Sequence, residues 1–224
     1  MTTRIAVNFP YFIPYSGYFR LFANCDVFVI FDCVPFPRRG YVHRNQLPDQ
    51  SSQPEWLTLP LNKAPRDTPI KEMSFVGDID CQLEKSFRKF PILQTPAALD
   101  HPLAQLCLKP SDDLVDFLEE TLRISACLLD LPFNVVRSSS LSVDPALRGE
   151  ARVLNIVEQL GGTHYINAPG GRHLYDNKRF KQHGIKLQYL DFYNGNNWSI
   201  LYRFLTEQSK VIRNDILKQG LSDG

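Results

Sequence analysis

The sequence predicts an α/β protein: an open, parallel, Rossmann-like sheet of about five strands, helices on both faces, and a small α+β excursion inserted over residues 35–110. Three observations carry this expectation. Short apolar runs alternate with amphipathic stretches at both ends of the chain. Residues 27–31 (Val-Phe-Val-Ile-Phe) are apolar at every position, as a parallel strand buried on both faces should be. Several amphipathic stretches open on a capping residue or proline and stop at glycine or proline. A length of 224 residues suits a single α/β domain, so 1–224 is taken as one domain carrying the excursion.

The first strand is expected over residues 4–9. A short helix over 15–24 follows, with Tyr18, Phe19, Phe22 and Ala23 at helical spacing. The second strand covers 27–32. Prolines 48, 54, 60, 65 and 69 then punctuate WLTLPL and EMSFV, which read as a small antiparallel element with a strand at EMSFV. Residues 80–90 read as a helix, broken by Pro91 and Pro96. Ser111 is expected to cap the next helix, with Asp112 and Asp113 in its first turn, where the dipole favours acids. Leu114, Val115, Leu118, Leu122 and Leu129 make its apolar stripe, Pro132 ends it, and 133–137 is a strand. Asp144 is expected to cap a further helix with Pro145 at its first position, ending at Gly161-Gly162. A strand over 164–167, a helix over 176–183, a last clear strand over 185–190 and a terminal helix over 199–217 complete the reading.

Composition narrows the function classes. Apolar residues make up 43%, enough for a packed core. A formal charge of +1 provides no electrostatic footprint for nucleic acid or an anionic surface. No apolar run reaches the roughly 18–20 residues of a membrane span, and the first residues do not read as a secretory signal. Five cysteines without a CxxC pair argue against a disulfide framework or zinc knuckle and point to free thiols in a reducing cytoplasm. His101, His164, His173 and His183 lack metal-ligand spacing, so no metal is expected.

The chemistry-bearing residues concentrate in the first 45 positions, beyond the carboxyl ends of two strands, where open α/β sheets bind ligands. Pro10, Tyr11, Pro14, Gly17 and Tyr18 read either as a rigid turn over an aromatic core or as a ring-stacking, hydrogen-bonding wall. Asp32 ends a wholly apolar strand, as an anchor or general base, or else as a cap for a nearby amide. Asn8 ends the first strand and could lie beside it. Arg38, Arg39 and Arg44, with Asn45, form either a solvated basic loop or a clamp for phosphate or carboxylate. Cys33 near His43 is a candidate acyl-accepting nucleophile, against the plainer reading of a small packed thiol. Gly170, Gly171, Arg172 and Tyr175, in PGGRHLYD, could offer backbone N–H groups to an anion, though one Gly pair is a weak signal.

The strings Asn8-Phe9-Pro10, Tyr11 through Phe19, Cys25-Asp26-Val27-Phe28-Val29, Asp32-Cys33-Val34, His43-Arg44-Asn45 and Trp56 through Pro60 resemble the WbqC-like family of bacteria. Gly161 through Ile166 and Gly170 through Tyr175 extend the resemblance over nearly the whole chain. Asn8 stands where that family usually has histidine, and Cys33 where it usually has a second aspartate. The resemblance implies acyl or aminoacyl transfer to an amino-sugar-type acceptor in surface-polysaccharide (O-antigen) or secondary-metabolite biosynthesis. The donor would be an acyl-CoA or an acyl or peptidyl carrier-protein thioester, and no other cofactor is implied. The chain is also similar, more faintly, to nucleotidylyltransferase-like and pantothenate-synthetase-like folds, with Tyr15-Ser16-Gly17-Tyr18 where their adenylating His-x-Gly-His would stand. A non-catalytic module binding a sugar nucleotide or carrier protein is the alternative from another class. The expected roles are Asp32 as base or anchor, Asn8 orienting, Tyr11 and Tyr18 lining, and the arginines holding an anionic group.

Overall fold

The computed structural model describes residues 2–218 and 220–223. Eight strands and nine α-helices follow one another among them. β1 (Arg4–Asn8) leads through α1 (Ser16–Asn24) to β2 (Val27–Ile30). The excursion then supplies the hairpin β3 (Arg44–Pro48) and β4 (Pro54–Thr58) and the helices α2 (Ile79–Phe87), α3 (Pro96–Leu99) and α4 (Pro102–Leu108). The chain returns through α5 (Leu114–Leu128), β5 (Val135–Arg137), α6 (Gly149–Gln159), β6 (His164–Asn167), α7 (Asn177–Gln182) and β7 (Lys186–Leu190). It finishes with α8 (Ile200–Thr206), α9 (Ser209–Leu217) and β8 (Leu221–Asp223).

Six strands form the main sheet in the order β5-β2-β1-β6-β7-β8. The first five in that order run parallel, and β8 pairs antiparallel along the β7 edge. The open Rossmann-like sheet is thus present, with one strand more than the sequence pattern showed. Strand parity sorts the core, because successive side chains point to opposite faces. Ile5, Val7, Val29, Tyr165, Leu187 and Tyr189 pack against α6 and α7 on one face. Ala6, Phe28, Ile30, Ile166 and Leu190 pack against α1, α5, α8 and α9 on the other. The second cluster runs on into the excursion through Leu47, Leu57, Leu83 and Leu103. At its centre the Phe22 ring stacks on Phe28 at 4.3 Å and on Phe133 at 5.6 Å. Truncating such a ring costs about 3–5 kcal/mol.

Four element expectations need correction. Ser111 does not cap α5; Asp113 does, its carboxylate accepting the Asp116 N–H at 2.8 Å. A bridge from Asp113 to Ser74 accompanies the extended conformation of Asp113 itself, one residue before the helix. Asp144 closes a tight turn, accepting from Ala146 at 2.8 Å, and α6 starts only at Gly149, whose φ of +51° breaks continuity with that turn. EMSFV is not a strand: Glu72 lies in a 3-10 turn, and Ser74 and Phe75 make isolated bridges only. The terminal helix is two helices, parted where Glu207 turns extended.

Candidate functional site

The sheet order places a switch point at β1. Its chain neighbour β2 lies on one side and β6 on the other. A cleft of about 750 Å³ opens there, beyond the carboxyl ends of the strands.

Two asparagines mark the strand ends. The Asn8 carboxamide oxygen accepts the Phe9 N–H at 2.9 Å, and that of Asn167 accepts the Ala168 N–H at 2.8 Å. Both residues line the cleft. With each oxygen committed to the backbone, the NH₂ donors are the carboxamide groups left for a ligand.

One wall is the loop between β1 and α1. Tyr11, Pro14, Tyr15, Gly17 and Tyr18 line the cleft, as do Phe9, Phe31 and Tyr41 from neighbouring segments. The Tyr11 ring lies 5.3 Å from Tyr18 and 5.5 Å from Tyr41. Tyr18 is buried and donates its hydroxyl to the Phe9 carbonyl at 2.7 Å. Desolvation pushes the Tyr11 hydroxyl up to about 12, so it stays a neutral donor and acceptor. Ile13 takes φ +37°, a left-handed conformation that costs a β-branched residue about 1–3 kcal/mol. Its carbonyl is clamped by Asn45 Nδ2 at 2.8 Å and Ser199 Oγ at 2.9 Å, and Asn45 Nδ2 also reaches the Phe12 carbonyl at 3.0 Å. Asn45 lines the cleft, and its amide donors hold this wall.

The opposite wall is the segment after β6. Gly170, Gly171, Leu174 and Tyr175 line it, together with Glu150 from α6. A Cβ on Gly171 would fall 2.2 Å from Asn167 Nδ2, so glycine lets the backbone approach that carboxamide. The Glu150 carboxylate is already engaged, accepting the Asp176 N–H at 2.6 Å and pairing with Arg179 at 3.0 Å. The Tyr175 hydroxyl lies 3.2 Å from that of Tyr165.

The remaining expected site residues are placed elsewhere. Asp32 is 1% exposed and faces β5's end rather than the cleft. It accepts from Ser138 Oγ and the Ser139 N–H, each at 2.8 Å, and from Ser139 Oγ. Ser138 Oγ in turn accepts the Asp32 and Cys33 N–H groups at 3.1 and 3.2 Å. This is the capping arrangement weighed above, and it ties β2 to β5 instead of presenting a free carboxylate. The Cys33 carbonyl accepts from Arg152 Nη1 at 2.9 Å, and its Sγ lies 3.6 Å from the same nitrogen. His43 packs at 5.0 Å from Phe36, and burial, with Arg44 adding to it, lowers its pKa to about 4. Cys33 and His43 do not border the cleft.

No arginine clamp forms from 38, 39 and 44. Arg38 donates to the Ala64 and Pro65 carbonyls. Arg44 donates to Gly40 and Arg39 carbonyls and stacks at 4.2 Å over Trp56. Arg39 is exposed. Arg172 bonds Ser222 and covers the Tyr189 ring at 4.7 Å, and Pro10 is buried outside the cleft. Backbone carbonyls within reach satisfy the Arg38 and Arg44 guanidinium groups locally.

Sequence reasoning missed Asn167, Glu150, Arg20, Tyr41, Gln46 and Tyr193, all of which line the cleft. Asn167 was findable by the rule that singled out Asn8, since it ends a strand before a glycine-bearing turn. Arg20 stands alone as a charge inside the apolar run YFRLFAN. Among the described residues, no group of three His, Cys, Asp or Glu side chains converges as a metal centre would need, and no helix is long and apolar enough to cross a membrane.

No solved structure matches the chain. The uncharacterized protein Rv1507c of Mycobacterium tuberculosis (strain ATCC 25618 / H37Rv) is 23% identical over 193 residues, covering 84% of this chain and 82% of that protein. The model of the WbqC-like protein family matches residues 9–203, which span both walls of the cleft. The chain belongs to the WbqC-like protein family.

Proposed function

We propose that this protein binds an amino-sugar-type small molecule in the cleft between β1 and β6 and presents its amine to an acyl or aminoacyl thioester. The observation that supports this best is the pair of carboxamides of Asn8 and Asn167 in a cleft also lined by aromatic rings. A sugar ring has a flat C–H face for rings to cover and hydroxyl edges for neutral donors to grip. In the transfer, the amine nitrogen attacks the thioester carbonyl. The C–S bond breaks, the thiolate leaves, and the ammonium proton passes to that thiolate. Glu150 borders the cleft and, held by the Asp176 N–H and Arg179, places negative charge on the side of the amine. Acceptor positioning is the protein's contribution in this scheme, since proximity alone lowers barriers by several kcal/mol.

A specific observation favours a second reading, a binding module without turnover. Asp32 and the Cys33 carbonyl are held by structural partners, and His43 packs on Phe36, all three outside the cleft. One experiment addresses both. Calorimetry with glucosamine is followed by a mass-spectrometric turnover assay with a panel of acyl thioesters. Binding with acylated product supports the transferase, binding without product supports the module, and no binding of glucosamine, glucosamine 1-phosphate or UDP-N-acetylglucosamine removes both.

A further inference from the structure

Among the described residues three arginines are buried, and their surroundings differ. Arg203 is 3% exposed and meets two carboxylates, Glu207 at 2.5 Å and Asp215 at 2.7 Å. Arg152 is 7% exposed and lacks a carboxylate contact, yet each of its nitrogens reaches a carbonyl: Nε that of Leu147, Nη1 that of Cys33 and Nη2 that of Pro145. Arg20 is 1% exposed. Nη1 donates to the Asp191 carbonyl at 2.6 Å and Nη2 to that of Gly220 at 3.3 Å, while the buried Nε has no acceptor. No ion pair to Arg20 forms among the described residues. A buried cation without a paired carboxylate and a buried donor without an acceptor are both costly. Burial lowers the Arg20 pKa, opposed by the charge of Asp191, by Tyr15 and Tyr193, and by the charge of Asp215.

Arg20 lines the cleft, as do Tyr15, Gly17, Tyr193 and Asn197. It projects from α1, whose first turn holds no acidic residue and whose N-terminus receives no side-chain cap. The leading N–H groups of a helix have no intrahelical acceptor, and the helix dipole places partial positive charge there. A Cβ on Gly17 would meet the Tyr15 ring at 2.2 Å and the Tyr193 ring at 2.9 Å, so glycine keeps this end of the helix closely packed under both rings. The missing items are one acceptor and one negative charge, and a phosphoryl oxygen supplies both.

We propose that the α1 end of the cleft is a phosphoryl subsite organised by Arg20, so that the bound molecule is a phosphate-bearing sugar rather than a free amino sugar. The proposal rests on the sugar-binding reading above and adds the anionic group to it. A sugar phosphate and a nucleotide sugar share this chemistry. In a sugar phosphate the phosphoryl group ends the molecule; in a nucleotide sugar it continues into a nucleoside.

The direct test observes the Nε–H of Arg20 by ¹⁵N NMR in the full chain, its resonance assigned by loss in Arg20→Lys. Inorganic phosphate should shift that resonance downfield in a saturable manner that weakens with added salt. Calorimetry then compares glucosamine, glucosamine 1-phosphate and UDP-N-acetylglucosamine. Glucosamine 1-phosphate should bind at least tenfold tighter than glucosamine, and Arg20→Gln should bring the ratio close to one. Preference for UDP-N-acetylglucosamine over glucosamine 1-phosphate would identify the nucleotide sugar as the source. An unmoved Nε–H resonance together with equal affinity for glucosamine and its 1-phosphate overturns the subsite while leaving sugar binding intact. A shifted resonance with no affinity for glucosamine or either phosphorylated sugar keeps the subsite and removes the sugar reading. If Arg20→Gln does not fold, the wild-type resonance and the wild-type affinity ratio decide the matter.

Discussion

Asn8 and Asn167 end two adjacent parallel strands in the same way, each folding its carboxamide oxygen back onto the next backbone N–H, at 2.9 and 2.8 Å. Two NH₂ groups are thereby left at the mouth of one switch point. Asn8→Ala and Asn167→Ala should each weaken glucosamine binding by about five- to tenfold, the worth of one good hydrogen bond. Calorimetry checks this, with a melting scan confirming that both variants stay folded. Asn8→His tests whether a ring donor substitutes.

Asp32→Asn should act on stability before function. The carboxylate accepts three hydrogen bonds from Ser138 and Ser139, and an amide can match only part of that set. A loss of about 2–3 kcal/mol in urea unfolding is expected. The glucosamine Kd of the folded variant should change less than twofold. Loss of binding without loss of stability would return Asp32 to the ligand site.

Gly17→Ala should reshape the cleft rather than unfold the chain. The new methyl must displace the Tyr15 and Tyr193 rings, whose centroids lie 5.6 Å apart. Alanine itself suits a helix better than glycine. Ligand affinity should fall more than tenfold while the melting temperature stays within a few degrees.

His43 makes a pH dependence readable. Its folded-state pKa is lowered to about 4, while an unfolded histidine titrates near ~6.5. Between those values the unfolded chain binds the extra proton, so the contribution of His43 is complete above about pH 6.5 and is lost as pH falls towards 4. In His43→Leu, the difference in unfolding free energy between pH 7.5 and pH 5 should shrink relative to wild type. Urea titrations at both pH values measure it.

The sheet was legible because its signals are local. Residues 27–31 read as a buried strand from composition alone, and Gly161-Gly162 stops α6 as its backbone demands. β8 was not legible: Leu221–Asp223 gains its meaning from pairing with β7, and three residues carry no period of their own. The site divides along the same line. Strand-end position singled out Asn8, and ring density singled out Tyr11 and Tyr18. What Asp32 does depends on Ser138, 106 residues away, and no local spacing encodes that partner. The three loop arginines looked like a clamp because charge density is visible in sequence, whereas nearby carbonyls that occupy guanidinium groups are not. Arg20 shows the converse: a single charge in an apolar helix is easily passed over, although its isolation is what leaves it unmatched.

The strained Ile13 carbonyl has a kinetic meaning. Its two clamps come from Asn45, 32 residues away, and Ser199, 186 residues away. Loop closure over such distances must precede the contact that rewards it. The aromatic wall is therefore a late product of folding, assembled only after the hairpin and the α8 segment have both docked. A refolding chain should regain its secondary structure first and its ligand affinity afterwards, in a separate and slower step.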